Sequence, residues 1–512
     1  MTLLRVFCAL LLAVVPAATQ AQTATPAAAA IPPAIAATIP EIDRIFAEFQ
    51  LDSHAPGLVY GIVADGRLVH VKAFGIQDIV AKRPVTADSL FRIASMSKAF
   101  TALAILKLRD SGKLALDDLA ETHVPEMRGW RYPTSDSPRI RIRDLLSHAA
   151  GFVTDDPWGD RQQPMAEAEF TRILKAGVPM SRAPGMAFEY SNFGYALLGR
   201  IVTNVSGEPF DRYIARNFLT PLGMASSGYE VRDAPIERRA IGYRWEDNVW
   251  KEEPTMPHGV FGAMGGLQTS ANDYARYVAW LLQAWPPRDG AETGPLKRSS
   301  VRELGQGLNF VRSVRRFGKS GVTACMQAIA YGKGMIAGQD CDLGATLSHG
   351  GGYPGFGSHV MLMPDSGIGI FVFSNRTYNG GSSAAWDAAM ALQKAGALVR
   401  PPLATSAMLA SALCKGRRDL CGRRRGGRGR RPRRQFPDGP FGGNLGQRSR
   451  WAQGVGRCVC DRCADRADDG DGGWLHLDLR PWPRARYDPL GADADGPDSS
   501  AEFDGRHALR TL

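Results

Sequence analysis

A serine and a lysine stand three residues apart in Phe91-Arg92-Ile93-Ala94-Ser95-Met96-Ser97-Lys98-Ala99-Phe100. At the head of an apolar helical run that spacing puts both side chains on one face, so the Lys98 amine can reach the Ser95 hydroxyl. A serine hydroxyl is a weak nucleophile until a base takes its proton. A lysine can be that base once desolvation or a nearby cation lowers its pKa. The amides of the first helical turn add a surface that favours negative charge. The ordinary alternative is a serine cap followed by a solvated lysine, because Ser-x-x-Lys is a loose pattern.

Two later stretches supply what that pair lacks. Pro184-Gly185-Met186-Ala187-Phe188-Glu189-Tyr190-Ser191-Asn192 turns into an apolar run through Val202. Tyr190 can bring a phenol to Ser95, and a neighbouring ammonium favours the phenolate, which suits a proton carrier. Asn192 can hold a substrate carbonyl and the Lys98 amine together, or simply cap the following helix. The third stretch is Leu347-Ser348-His349-Gly350-Gly351-Gly352-Tyr353-Pro354-Gly355-Phe356-Gly357-Ser358. Glycines in a strand permit close approach of a ligand or another backbone. A backbone N–H freed there can pair with that of Ser95 as a two-donor oxyanion site. His349 offers a donor or a positive charge to a substrate carbonyl or carboxylate.

Other candidates read as structure. His148, in Ile140 to Gly151, is expected to be a helix-end histidine pairing with backbone. The glycine-rich Phe261 to Leu267 reads as scaffold, with Ser270 and Asp273 capping a helix from Asn272 to Leu282. Gly318-Lys319-Ser320 resembles the end of a phosphate loop, but position 313 is Ser where that pattern needs Gly.

These residues need a frame. Ala99 to Leu108 is apolar almost all round, which predicts a buried helix, stopped near Gly112. Ile42, Ile45, Phe46 and Phe49 follow the spacing of an amphipathic helix. Leu58 to Ala64 and Arg67 to Phe74 read as strands joined by Asp65-Gly66, a two-residue hairpin turn. His359 to Met363 alternates, and Asp365-Ser366-Gly367 turns into a strand over Ile368 to Phe373. A helix and a hairpin ahead of the Ser95 helix give an α+β order rather than repeating strand–helix units.

Of the net charge of +11 carried by 512 residues, +7 falls in the last 99, so the body is only mildly basic and its charge names no partner. Met1 to Ala21 reads as a secretory signal: Arg5 as positive flank, an apolar run from Val6 to Val15, and small residues before Gln22. That run is too short to span a bilayer, and export to a periplasm or secretion follows. Residues 22–40 read as an Ala/Pro/Thr linker. The body keeps two cysteines, Cys325 and Cys341. They read either as one disulfide, stabilising by about 3 kcal/mol for a loop near that length, or as two free thiols.

Cys414 to Leu512 differs in composition from the body. It holds 20 Arg but one Lys, 13 Asp but one Glu, and no Ile or Met. Its 13 Leu, Val and Phe residues are too few for a core. Arg423 to Arg434 suits a polyanion-binding tail, and Cys458, Cys460 and Cys463 could suggest a metal knuckle. The bias fits best a GC-rich frame read out of register after about Leu413, so no nucleic-acid partner is expected.

Together, Ser95-Met96-Ser97-Lys98, Tyr190-Ser191-Asn192 and His349-Gly350-Gly351 resemble the Ser-x-x-Lys, Tyr-x-Asn and Lys/His-Thr/Gly-Gly motifs of the β-lactamase-related, penicillin-recognising serine hydrolases. Leu145-Leu146-Ser147-His148 also resembles a segment of that family. The resemblance covers about residues 40–381 and implies an α/β sandwich, an antiparallel sheet flanked by helices, with a helical subdomain, over residues 41–400. It implies Ser95 as acylated nucleophile, Lys98 and Tyr190 as sharing general-base and general-acid work, Asn192, His349, Gly350 and Gly351 as substrate-binding residues, and the Ser95 and Gly352 N–H groups as oxyanion hole. It implies no metal or organic cofactor and a small-molecule or peptide substrate. His-Gly-Gly in place of Lys-Thr-Gly resembles the D-aminopeptidase-like and esterase-like relatives more than the class C β-lactamases, because a histidine mostly neutral at pH 7 suits a β-lactam carboxylate less than a lysine does. The expected activity is therefore acyl-enzyme hydrolysis of an ester or D-configured amide, with weak β-lactam hydrolysis. A non-catalytic sensor that binds penicillin or peptidoglycan is the alternative.

Overall fold

A computed structural model describes residues 30–155, 158–317 and 324–399, together with residue 411. The side chains at 158, 316, 317, 324 and 325 lie outside that description, as do the expected signal sequence, the Gly318-Lys319-Ser320 segment and the tail from Cys414.

Alternating apolar residues build the strands. β1 (Gly57–Ala64), β2 (Arg67–Asp78) and the two-residue β3 (Arg83–Pro84) form the N-terminal edge. Asp65 and Gly66 both take positive φ, as their two-residue hairpin turn requires. β4 (Phe91–Arg92) pairs with β7 (Gln268–Thr269), and β5 (Tyr243–Glu246) with β6 (Val249–Glu252). The C-terminal strands are β8 (Asn309–Phe317), β9 (Ala324–Tyr331), β10 (Ile336–Asp340), β11 (Gly344–Tyr353), β12 (Phe356–Met363) and β13 (Ile368–Ser374). Among the described residues the large sheet has nine strands in the order β3-β2-β1-β13-β12-β11-β10-β9-β8, all antiparallel. The N-terminal hairpin thus docks on the last strand, with Leu58 opposite Ser374 and Val63 opposite Gly369.

The central strands bury both faces, and each face has its own core. Leu58, Tyr60 and Ile62 join Met361, Met363, Ile370 and Val372 beneath the helices Pro33–Asp52 and Ser382–Lys394. Phe46 stacks on Tyr60 with centroids 4.0 Å apart. The first helix begins at Pro33, inside the stretch expected to be linker. Pro at a helix start is tolerated, and Ile35, Thr38, Ile42 and Phe46 form a buried stripe that carries the helix through Pro40.

Val59, Val63, Val360, Leu362, Phe371 and Phe373 face the larger core, shared with the helices Ser97–Asp110, Asn192–Ser206 and Ala271–Leu282. Ser97–Asp110 buries Phe100, Leu103, Ile105, Leu106 and Leu108, each gaining roughly 1.5–3 kcal/mol over exposure. Phe100 stacks on Tyr277 at 4.2 Å. Most of the helical segments between β4 and β8 pack into this same core. Ahead of the helix Ile142–Leu146, a single bridge joins Leu119 to Arg141. Cys341 is disulfide-bonded, while the side chain of its expected partner, Cys325, lies outside the described residues. No helix among the described residues is long and apolar enough to cross a membrane.

Candidate active site

Ser95 sits in a single 3-10 turn, Ala94–Met96, that feeds straight into the Ser97–Asp110 helix. Ala94 carries φ +47°, an unfavourable conformation for a residue with a side chain. Its surroundings hold it there: Ser358 Oγ donates to the Ile93 carbonyl at 2.8 Å, and the Leu267 N–H donates to Ser97 Oγ at 3.1 Å. The turn presents Ser95 with its side chain almost, but not fully, enclosed.

Lys98 is wholly buried. Its Nζ lies 3.0 Å from Ser95 Oγ, 2.8 Å from Asn192 Oδ1 and 3.0 Å from the Met264 carbonyl. The Tyr190 hydroxyl reaches the same Ser95 oxygen at 3.0 Å. An ammonium at Lys98 would spend one N–H on each of its three neighbours. A neutral amine keeps two for Asn192 and Met264, which leaves its lone pair aimed at the Ser95 hydroxyl. The amine also lies over the rings of Tyr190, 4.9 Å from the centroid, and Tyr195, 5.5 Å away. The sequence therefore brings Ser95, Lys98, Tyr190 and Asn192 to one point. The Phe261–Leu267 stretch, expected to be scaffold only, contributes the Met264 carbonyl to it.

Asn192 does not cap its helix; Ser191 does, accepting from the Gly194 N–H at 3.2 Å. The Asp155 carboxylate finishes the cap, accepting from the N–H groups of Asn192 at 2.6 Å and Phe193 at 2.7 Å. This releases the Asn192 amide for Lys98. Burial holds the Asp155 carboxyl above the usual carboxylate range, against those two hydrogen bonds. No local pattern marks Asp155, which lies far from Asn192 in sequence. His148 takes the structural role expected of it: at φ +56° it accepts the Ser191 N–H on Nδ1 at 3.1 Å, and its ring lies 4.3 Å from that of Tyr190.

The opposite wall is β11. β10 pairs with it only as far as Ser348, so residues 349–353 have no strand on that edge. Tyr353 and Phe356 flank a two-residue turn and must exchange both ladder bonds. Alternation then turns the amides of Gly352 and Gly350 to the open edge, and those of Gly351 to β12. A side chain at Gly351 would overlap Ser358 Oγ and the Ile93 carbonyl. Gly351 is thus where the strand presses against the turn that carries Ser95. Gly351 therefore carries a packing constraint, and the Gly352 N–H faces the open edge of the strand.

His349, expected to offer a donor or a positive charge, is a neutral ring in the wall of the site. It is buried, with Nδ1–H donating to the Gly350 carbonyl at 2.6 Å and Nε2 accepting from the Tyr331 hydroxyl at 2.9 Å. Burial, with Lys98 adding to it, pushes the His349 pKa down to about 3. The ring is neutral at neutral pH, and both nitrogens are engaged. Tyr331, at the end of β9, carries no sequence signal for this duty.

For metals, the described residues hold one candidate grouping, Asp340, Cys341 and Asp342. Cys341 is in a disulfide, and Asp340 already accepts from the N–H groups of Asp342 and Leu343.

A family model for beta-lactamases matches residues 42–395. Among curated proteins, the chain is 28% identical over 341 residues to Protein flp of Staphylococcus aureus, covering 65% of this chain and 62% of that protein. It is 29% identical over 255 residues to Beta-lactamase-like protein 2 of Dictyostelium discoideum, covering 48% of this chain and 46% of that protein. The chain thus spans less than two thirds of the length of these relatives. Among solved structures, it is similar to the octameric penicillin-binding protein homologue from Pyrococcus abyssi. That match has a TM-score of 0.57 and 25% identity, and covers 68% of this chain and 75% of that one.

Proposed function

The chain belongs to the beta-lactamase family, and on that premise we propose that it is an exported serine hydrolase that works through an acyl-enzyme on esters or D-configured amides. The observation that carries this reading is the convergence of the Lys98 amine and the Tyr190 phenol on Ser95 Oγ, each at 3.0 Å. The lone pair of Lys98 takes the Ser95 proton as Oγ attacks the substrate carbonyl carbon. The carbonyl oxygen gathers charge between the N–H groups of Ser95 and Gly352. As the tetrahedral adduct collapses, Tyr190 delivers a proton to the leaving oxygen or nitrogen and is recharged from Lys98. Water then enters, loses a proton to the same pair, and releases the acid with Ser95 restored.

The uncharged wall at His349 supports esters and neutral amides over substrates that need a cation for a free carboxylate. Export rests on the Met1 to Ala21 pattern and is tested by N-terminal sequencing of secreted protein, with Gln22 expected first.

The function is tested on the full chain with p-nitrophenyl acetate, D-alanine p-nitroanilide and nitrocefin. Sustained ester or D-amide turnover, absent in Ser95→Ala, is expected, with nitrocefin the slowest. A stoichiometric burst without turnover would identify a sensor instead.

A further inference from the structure

Tyr378 lies outside every motif, in the loop between β13 and the Ser382–Lys394 helix, yet it reaches the catalytic strand. Its backbone takes φ +55°, a conformation that costs energy for a residue with a side chain. Its ring fills the space above Gly352: a Cβ on Gly352 would overlap the Tyr378 ring edge, with Cε1 2.9 Å and Cγ 3.4 Å away. Its hydroxyl donates to Asp160 Oδ2 at 3.0 Å. Asp160 is 1% exposed, whereas Tyr378 keeps 40% of its surface open. Asp160 belongs to the short helix Trp158–Arg161, whose Gly159 packs so closely on Asn192 that a Cβ there would fall 2.6 Å from the Asn192 Cβ.

The phenol therefore runs from the sheet half to the helical half of the site, passing over the amide that faces the open edge of β11. One end of it is fixed by a buried carboxylate, and the other by a strained backbone. Gly352 has to be glycine for this ring to lie where it does.

We propose that Tyr378 is a specificity-determining residue, the wall that limits the bulk of the substrate group lying beside the carbonyl oxygen held at Gly352. This rests on the acyl-enzyme reading, in which Gly352 receives that oxygen. A small acyl or leaving group passes under the ring; a branched one meets it. Tyr378→Phe keeps the wall but loses the tether to Asp160, and Tyr378→Ala removes both.

The test compares kcat/KM for p-nitrophenyl acetate and p-nitrophenyl pivalate in wild type, Tyr378→Phe and Tyr378→Ala, with thermal melts to confirm folding. The expected result is a pivalate-to-acetate ratio at least about tenfold higher in Tyr378→Ala, carried mostly by KM, and a smaller rise in Tyr378→Phe. A folded Tyr378→Ala whose ratio stays within twofold of wild type, or whose two substrates slow in parallel, overturns the proposal. If the alanine variant does not fold, Tyr378→Leu is read by the same ratio and the same limits. Failure of the underlying reading looks different: wild-type turnover would then survive Ser95→Ala.

Discussion

The Tyr331 hydroxyl sits 2.9 Å from Nε2 of His349, whose Nδ1–H is committed to the Gly350 carbonyl. One phenol thereby fixes the tautomer of a buried histidine and keeps that side of the cleft without charge. His148 is in the same condition, its pKa driven well below the ordinary value by burial first and Lys98 second.

These two histidines make stability depend on pH, with a definite sign. Both are neutral when folded and titrate near 6.5 when unfolded, so the unfolded chain takes up protons first. Unfolding free energy should fall as pH drops below about 6.5, by up to about 1.4 kcal/mol per pH unit for each histidine. The loss for His349 continues to about pH 3. Urea midpoints between pH 6.5 and 5, where most carboxylates are still charged in the unfolded chain, should decline, and His349→Gln should flatten the slope. A midpoint that rises on acidification contradicts this.

Ester turnover should depend separately on the two groups that meet at Ser95. Lys98→Met and Tyr190→Phe are each expected to lower kcat by roughly 10²–10⁴, the usual worth of a general acid or base. In single-turnover experiments Lys98→Met should slow acylation, as the role proposed for Lys98 as the base for Ser95 requires. Equal, near-wild-type acylation in both variants would refute the assigned roles.

Asp155→Ala removes both acceptors at the head of the Asn192 helix. A lost cap of this kind costs about 0.5–2 kcal/mol. Because the same helix turn aims Asn192 at Lys98, kcat should fall too, while Asp155→Asn, which keeps one acceptor, should recover part of both. Denaturant melts and ester kinetics on the two variants check it; a stability loss with unchanged kcat would separate the cap from the site.

Gly351→Ala forces a methyl group between β11 and the turn that carries Ser95. Overpacking of a tight core contact costs about 1–3 kcal/mol, and here the displaced partner includes the Ile93 carbonyl. Activity is expected to drop more than stability predicts. A melt close to wild type with full turnover would show that the contact yields freely.

Much of the centre was legible because its parts lie in short local patterns. Ser95 and Lys98 share one helical turn, Tyr190 and Asn192 flank one helix start, and the glycines of β11 sit in one strand. The hairpin at Asp65-Gly66 was legible for the same reason. What escaped notice acts across long sequence gaps: Asp155 on Asn192, Met264 on Lys98, Tyr331 on His349, Tyr378 over Gly352. Each is an ordinary residue type whose duty exists only once the chain has folded. The neutrality of His349 could be read from its residue type, but its burial and its two partners are tertiary facts. The first helix was placed too late because prolines and alanines look like linker until a sheet face is there to cover.

The docking of β1 on β13 has a temporal side. During synthesis on the ribosome, the first two strands emerge some three hundred residues before the strand that will hold them. Until that late segment has left the exit tunnel, Ser95 has neither its glycine wall nor a finished sheet behind it. Such distant pairings make assembly slow, so the arrangement around Ser95 is complete only after the last strand of the sheet has docked.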